Sequence, residues 1–118
     1  EFSVKATYNF FNGVVDNAQM NQTGLMAWSP LGGGSVFKGE DEQSVRLREV
    51  IKEIAENHQV SMDVVMYAFV LRHPAKIMPI TGTMNLDRVQ NAVDALKLEL
   101  TYDEWYAILA ASRGFDVP

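Results

Sequence analysis

The chain contains no cysteine among its 118 residues, which excludes disulfide bonds and metal sites built on thiolates. It also has no long apolar run, since none approaches the roughly 18 residues that a membrane-spanning helix requires. The first residues lack the basic start and the apolar stretch of a secretory signal peptide. We therefore expect a cytoplasmic protein with no membrane partner.

Positive charge is scarce as well. Ten Lys and Arg residues stand against 15 Asp and Glu residues, which gives a formal net charge of −5. Binding to nucleic acids depends on clustered Lys and Arg side chains, and the basic residues are dispersed along this chain, so nucleic acid is not an expected partner. The apolar fraction of 47% and the charged fraction of 21% are typical of a globular domain.

Short apolar runs alternate with helical patterns along the chain. Runs rich in apolar or β-branched residues predict strands at residues 4–10, 24–28 and 76–80. Strands that alternate with helices indicate an α/β protein with a parallel sheet. We therefore expect about three parallel strands and four helices.

Apolar spacing and capping residues predict four helices. The first spans residues 44–57, where apolar residues recur at helical spacing. The other three are bounded by capping or breaking residues, namely Ser61 with Pro74, Asn85, and the capping-box pair Thr101 and Glu104 with Gly114. A parallel sheet of three strands would have two open edges and an uncovered face. The sequence therefore predicts a single domain, residues 1–118, that is incomplete as a single chain.

Two segments carry a resemblance to a known family. Residues 26–34 read Met-Ala-Trp-Ser-Pro-Leu-Gly-Gly-Gly and resemble the seventh strand and following loop of aldo-keto reductases, particularly bacterial members. Residues 78–89 read Met-Pro-Ile-Thr-Gly-Thr-Met-Asn-Leu-Asp-Arg-Val and are similar to the family's eighth strand and its adenosine-binding loop. The resemblance covers residues 24–118, while residues 1–23 match loosely as a strand and loop. It implies the C-terminal part of a (β/α)8 TIM barrel, which takes about 250 residues when complete.

The first of these loops is a candidate cofactor site. Trp28 ends a predicted strand, and the carboxyl ends of barrel strands carry the active site. The resemblance implies that Trp28 stacks on the nicotinamide ring; the alternative is a core tryptophan that anchors the sheet. Ser29, Leu31 and Gly33 lie where glycines let backbone N–H groups approach a pyrophosphate. The alternative for this loop is a flexible connection.

The second loop is a candidate site for the adenosine end of the cofactor. Arg88 falls in the first turn of a predicted helix, where the helix dipole disfavours a cation by about 0.3 to 1 kcal/mol, and a nearby anion would reverse that penalty. The resemblance implies that Arg88 contacts the 2′-phosphate and adenine of NADP, with Thr83 and Asn85 beside it and Asn91 on the adenine. The alternative is a solvated arginine near Asp87.

Gly82 belongs to the same candidate site. Many family members carry a lysine directly before the hydroxyl residue, and this chain carries Gly82 there. NADP is the cofactor that the resemblance implies, and NAD is the second choice.

No catalytic residue is predicted. The resemblance places the catalytic tyrosine, lysine, aspartate and histidine of the family on the first four barrel strands, and this chain has no matching segment. No lysine stands in the required relation to any of the tyrosines, Tyr8, Tyr67, Tyr102 and Tyr106. His58 and His73 fall at the ends of predicted helices, where the dipole favours a partly charged imidazole.

Two functions remain open at the level of the sequence. In the first, the chain is the NADP-binding segment of a carbonyl reductase, inactive without the N-terminal half of the barrel. In the second, it is a truncated, non-catalytic module that binds a nucleotide or associates with itself as a homo-oligomer. An exposed parallel edge and an unfilled barrel interior favour self-association in either case.

Overall fold

The structure is a computed structural model that describes residues 2–81 and 85–114. Within these ranges it contains two strands, β1 (Met26–Ala27) and β2 (Met78–Pro79). The helices are α1 (Val14–Met20), α2 (Ser35–Lys38), α3 (Glu42–His58), α4 (Met62–Leu71), α5 (Leu86–Asp94) and α6 (Tyr102–Arg113). Short 3-10 turns lie at Tyr8–Phe10, Gly32–Gly34 and Ala95–Lys97.

The two strands form a short parallel sheet. Met26 lies opposite Met78, and Ala27 lies opposite Pro79. Ala27 and Ile77 are fully buried, whereas Met26 is 68% exposed and Met78 is 64% exposed. One face of the sheet is therefore covered and the other is open. The predicted strands at 24–28 and 76–80 are confirmed as parallel neighbours, in shorter form.

The predicted strand at residues 4–10 is wrong. This segment is irregular and ends in the 3-10 turn at Tyr8–Phe10, because its polar groups bond to helices instead of to the sheet. The Gln43 amide donates to the Lys5 carbonyl at 2.9 Å and to the Ser112 carbonyl at 3.0 Å. The Thr7 and Ser112 hydroxyls share a buried hydrogen bond of 3.2 Å. The short helices α1 and α2 were not predicted.

Most of the predicted helix ends are confirmed. The Asn85 side chain caps α5, and Thr101 and Glu104 form a complete capping box at the start of α6. Gly114 ends α6 with a left-handed φ of 84°. Helix α3 begins two residues before the predicted range, because the Asp41 carboxylate accepts a hydrogen bond from the backbone N–H of Ser44 at 3.1 Å.

Helix α4 forms the centre of the core. All of its residues from Asp63 to Val70 are buried, as its nearly all-apolar sequence predicts. The Trp105 indole N–H donates to the Phe69 carbonyl at 2.9 Å, and the two rings stack with their centroids 4.8 Å apart. Ser61 precedes the helix as predicted, but its side chain accepts no bond from the helix backbone; its hydroxyl donates to Asp63 instead.

The cap of α3 supports a prediction about stability and pH. Hydrogen bonds from the Ser44 hydroxyl and backbone N–H, together with the charge of Lys5 at 3.5 Å, lower the pKa of Asp41 from 3.8 to about 2. The folded state thus binds a proton at Asp41 less readily than the unfolded state, so this carboxylate stabilises the fold above its unfolded pKa. Asp41→Asn keeps a capping oxygen but removes the charge.

We expect the wild type to have a higher urea midpoint than Asp41→Asn at pH 6. The difference should shrink as the pH falls from 3.8 to about 2, where Asp41 also becomes protonated in the folded wild type. Urea unfolding at several pH values measures it. A difference that stays constant across this range would contradict the assigned role of the charge.

Candidate functional site

An open cleft of about 840 Å³ lies beside the carboxyl ends of the two strands. Residues directly after each strand line it, Trp28 after β1 and Ile80 after β2. The loop between β1 and α2, helix α2 itself, helix α4 and the first turn of α5 supply the rest of the lining. This is the edge at which parallel α/β folds bind ligands.

The loop after β1 is a succession of tight turns. Three consecutive glycines, Gly32, Gly33 and Gly34, have left-handed φ angles of 58°, 67° and 80°, which cost glycine little. Ser29 also has a positive φ, of 54°, a conformation that is strained for a residue with a side chain. The Gly32 N–H donates to the Ser29 carbonyl at 2.8 Å, and the Gly34 N–H donates to the Leu31 carbonyl at 3.0 Å. The glycine run is therefore a folded cleft wall and not an extended connection.

Trp28 does not belong to the core. Its side chain is 61% exposed and lines the cleft. The alternative interpretation of Trp28 as a core tryptophan is therefore wrong. The tryptophan that packs against the core is Trp105. Trp28 thus presents an open aromatic face at the end of β1.

Helix α2 brings two further residues to the cleft, Phe37 and Lys38. Arg48 of α3 holds this short helix in place, since its guanidinium donates to the Val36 carbonyl at 2.9 Å and to the Gly39 carbonyl at 2.5 Å. Sequence analysis missed Phe37 and Lys38, because four residues are too few to show a helical period. A lysine immediately before Gly39 is the one available signal, since glycine often follows the last turn of a helix and cations favour that turn.

Arg88 lies in the first turn of α5 and lines the cleft. The Asn85 side chain accepts hydrogen bonds from the backbone N–H groups of Asp87 at 2.9 Å and of Arg88 at 3.4 Å. Asn85 therefore fixes the turn that carries Arg88. Within residues 2–81 and 85–114, no ion pair joins Arg88 to Asp87.

Asn91 lies one turn further along α5 and is not among the described residues that line the cleft. Its amide nitrogen donates to the Asp63 carboxylate at 2.9 Å. Gly82 and Thr83 lie outside the described residues. The structure thus brings five of the nine predicted cofactor-binding residues together along the cleft: Trp28, Ser29, Leu31, Gly33 and Arg88.

The charge of the cleft is opposite to the charge of the chain. The chain carries a formal charge of −5, yet the described lining contains the cations Lys38 and Arg88 and no carboxylate. Local positive potential in an acidic protein favours an anionic ligand. Burial raises the pKa of the Tyr67 hydroxyl, and the Asp63 charge raises it further while the Arg88 charge lowers it. Tyr67 is thus a neutral hydrogen-bond donor at neutral pH.

Neither histidine lines the cleft. His58 pairs with Glu104 at 2.7 Å. Burial would raise the pKa of Glu104, but hydrogen bonds from the Thr101 backbone and from His58 outweigh it and lower the pKa. Burial lowers the pKa of His73 more than the Asp16 charge raises it, so this imidazole takes up a proton less readily than an ordinary histidine.

The described residues contain neither a metal-binding cluster nor a membrane-spanning helix. The described part of the chain contains no group of three His, Cys, Asp or Glu side chains that could hold a metal ion. It also contains no helix that is long and apolar enough to cross a membrane.

Comparison with protein families gives one match over nearly the whole chain. The model of the aldo/keto reductase family matches residues 2–113. This chain belongs to the aldo/keto reductase family.

Curated relatives are bacterial. The chain is 37% identical to an uncharacterized oxidoreductase, YcsN, of Bacillus subtilis, over 100% of this chain and 40% of the relative. It is 38% identical to a 6-dehydroglucose reductase of Agrobacterium fabrum, over 99% of this chain and 38% of the relative. It is 39% identical to the oxidoreductase YdhF of Escherichia coli, over 91% of this chain and 36% of the relative. The chain therefore spans about two fifths of the length of these relatives.

A solved structure has the same fold. The thermostable aldo-keto reductase Tm1743, crystallised with the inhibitor epalrestat, superposes with a TM-score of 0.81 at 20% identity. The match covers 94% of this chain and 38% of that chain. The fold is thus the C-terminal portion of a (β/α)8 TIM barrel, incomplete in this chain, as the sequence predicts.

Proposed function

We propose that this chain is the NADP-binding segment of a carbonyl reductase, and that it does not carry out the reduction by itself. The observation that carries the proposal is the composition of the cleft, where an exposed indole, a left-handed glycine loop and two cations converge. A nicotinamide dinucleotide phosphate combines an aromatic ring, a pyrophosphate and a terminal phosphate. Each feature of the cleft has a counterpart in that ligand.

The residues fit this cofactor on physical grounds. A volume of about 840 Å³ lies within the range of small-molecule sites. Trp28 offers a flat face for the nicotinamide ring, and turns of left-handed backbone suit a pyrophosphate. The Arg88 guanidinium suits a phosphate monoester. When bound, the cofactor supplies the hydride, while these residues bind it and orient its ring.

We assign roles to the other predicted cofactor-binding residues from their positions. Asn85 positions Arg88 through the helix cap, and Asp63 orients the Asn91 amide. Gly82 and Thr83 complete the adenosine loop in this proposal. NADP is preferred to NAD because two cations line the cleft without a carboxylate among its described residues. The cytoplasmic location stays a prediction of the sequence.

Calorimetric titration of the 118-residue chain with NADP⁺ and with NAD⁺ tests the proposal. We expect NADP⁺ to bind more tightly than NAD⁺, by tenfold or more if one charge-assisted contact separates them, since such a contact is worth roughly 1.5 to 3 kcal/mol. Trp28→Ala should weaken both ligands, because both carry the nicotinamide ring. If the wild type binds neither at millimolar concentration, the proposal is wrong.

The open face of the sheet supports association as a second property. Met26 and Met78 lie side by side on this face and are largely exposed. We propose that the first part of the barrel covers this face in a complete enzyme, and that a second copy covers it when this chain is alone.

We therefore expect the isolated chain to sediment as a species larger than its 13.2 kDa monomer at micromolar concentration. The double variant Met26→Glu and Met78→Glu should sediment as a monomer, because each buried charge would oppose the contact. Met20→Glu is the matched control, since Met20 is 78% exposed but lies on α1. Sedimentation velocity measures all three. A folded, monomeric wild type would rule out this association.

A further inference from the structure

Tyr67 lines the cleft, yet no role follows for it from the sequence pattern. Its side chain is only 2% exposed, and it reaches the cleft from the second turn of α4. Helices α4 and α5 pack against each other, and α5 carries Arg88 to the same cleft. The two side chains therefore line one cleft, and the Arg88 charge lowers the pKa of the Tyr67 hydroxyl.

Asp63, whose charge raises the pKa of Tyr67, forms hydrogen bonds with other residues. One Asp63 oxygen accepts from the Asn91 amide at 2.9 Å. The other accepts from the Ser61 hydroxyl and, at 3.1 Å, from the Val64 N–H. Asp63 is itself buried. Asp63 thus holds the start of α4 to α5, and no hydrogen bond joins it to Tyr67.

The Tyr67 hydroxyl is available for a hydrogen bond to a ligand in the cleft. No hydrogen bond joins it to any other described residue, and no fully buried side-chain oxygen or nitrogen in the described chain lacks a partner. Because the Tyr67 hydroxyl oxygen has no partner among the described residues, it cannot be fully buried. We infer that it opens to the cleft. An O–H group that opens to the cleft lined by Arg88 is a second donor for an anion that the guanidinium attracts.

We propose that Tyr67 is a specificity-determining residue that donates a hydrogen bond to the phosphate held by Arg88. This inference rests on the proposed function, in which that phosphate is the 2′-phosphate of NADP. Tyrosine suits the position because it adds a donor without adding charge. It stays protonated at neutral pH since burial and the Asp63 charge raise its pKa.

The test is the affinity of Tyr67→Phe for NADP⁺ and for NAD⁺, measured by calorimetry on the full 118-residue chain. A hydrogen bond to a charged group corresponds to roughly a tenfold to hundredfold change in affinity. We expect a loss of about tenfold for NADP⁺ and no change for NAD⁺, which lacks the 2′-phosphate. Phenylalanine keeps the ring that packs in the core, and an unchanged melting temperature verifies the fold. Tyr106→Phe is the matched control, because Tyr106 is half exposed on α6, away from the cleft.

A double variant separates shared binding from a structural effect. If Tyr67 and Arg88 hold the same phosphate, Tyr67→Phe combined with Arg88→Ala should weaken NADP⁺ by less than the product of the two single losses. Multiplicative losses would overturn the inference, as would equal weakening of both nucleotides or unchanged NADP⁺ affinity in Tyr67→Phe. In each of these cases the proposed function would still hold, provided that the wild type binds NADP⁺. A wild type that binds neither nucleotide would overturn both.

Discussion

Replacing Arg88 with alanine should weaken the binding of NADP⁺ by about tenfold to a hundredfold, because a charge-assisted contact contributes roughly 1.5 to 3 kcal/mol. The affinity for NAD⁺ should hardly change. Arg88 is exposed at the cleft and has no ion-pair partner within the described ranges, so its loss breaks no contact of that kind inside the protein. Calorimetry measures the two affinities, and the difference between them isolates the contribution of the 2′-phosphate.

The same substitution should leave the fold as stable as before, or slightly more stable. A cation in the first turn of a helix opposes the helix dipole by about 0.3 to 1 kcal/mol, and alanine has the highest helix propensity. Weaker binding together with an equal or higher melting temperature is the combination expected of a ligand-binding residue. A merely structural residue would lower both.

A matched control separates the local contact from net charge. Lys52 is an exposed cation on α3, so Lys52→Ala removes the same charge at a different place. NADP⁺ binding should be unaffected in this variant. If Arg88→Ala weakened both nucleotides equally, or if Lys52→Ala had the same effect, the assignment of Arg88 to the 2′-phosphate would be wrong.

Features that depend on neighbouring residues could be predicted from the sequence. The capping box of Thr101 and Glu104 and the cap at Asn85 are hydrogen bonds within one turn, so residue type and spacing specify them. The two apolar runs that end in glycine- and threonine-containing loops likewise predict parallel strands, although only one face of the sheet is buried. Local chemistry also placed Arg88 in the first turn of its helix, where its charge is unfavourable without an anion.

Features that depend on distant contacts could not be predicted in this way. Residues 4–10 have strand-forming side chains, but Gln43 and Ser112 bond to this segment and hold it against α3 and α6. In the sequence, Tyr67 resembles any other residue of an apolar helix, and only the packing of α4 on α5 places it in the same cleft as Arg88. Long-range packing overrides local propensity in the first case and creates a site residue in the second.

The 118-residue chain should not consume NADPH with simple aldehydes above the background rate. Reduction of a carbonyl requires a proton donor for the developing alkoxide, and an effective donor has a pKa near the working pH. The described lining of the cleft contains no histidine and no carboxyl group. Its one phenol is Tyr67, whose pKa is raised by burial and the Asp63 charge. A donor of this kind is unsuited to the reaction.

The lack of a positioned acid among the described lining residues alone forfeits about 10² to 10⁴ in rate. The decrease in absorbance of NADPH, followed with a panel of aldehydes at saturating cofactor, measures the activity. A mock purification from the same host corrects for contaminating reductases. If the chain showed consumption above that control, and if Tyr67→Phe abolished it, Tyr67 would be the proton donor after all. Consumption that persisted in Tyr67→Phe would show that another residue donates the proton. Either result would end the proposal that this chain binds the cofactor without using it.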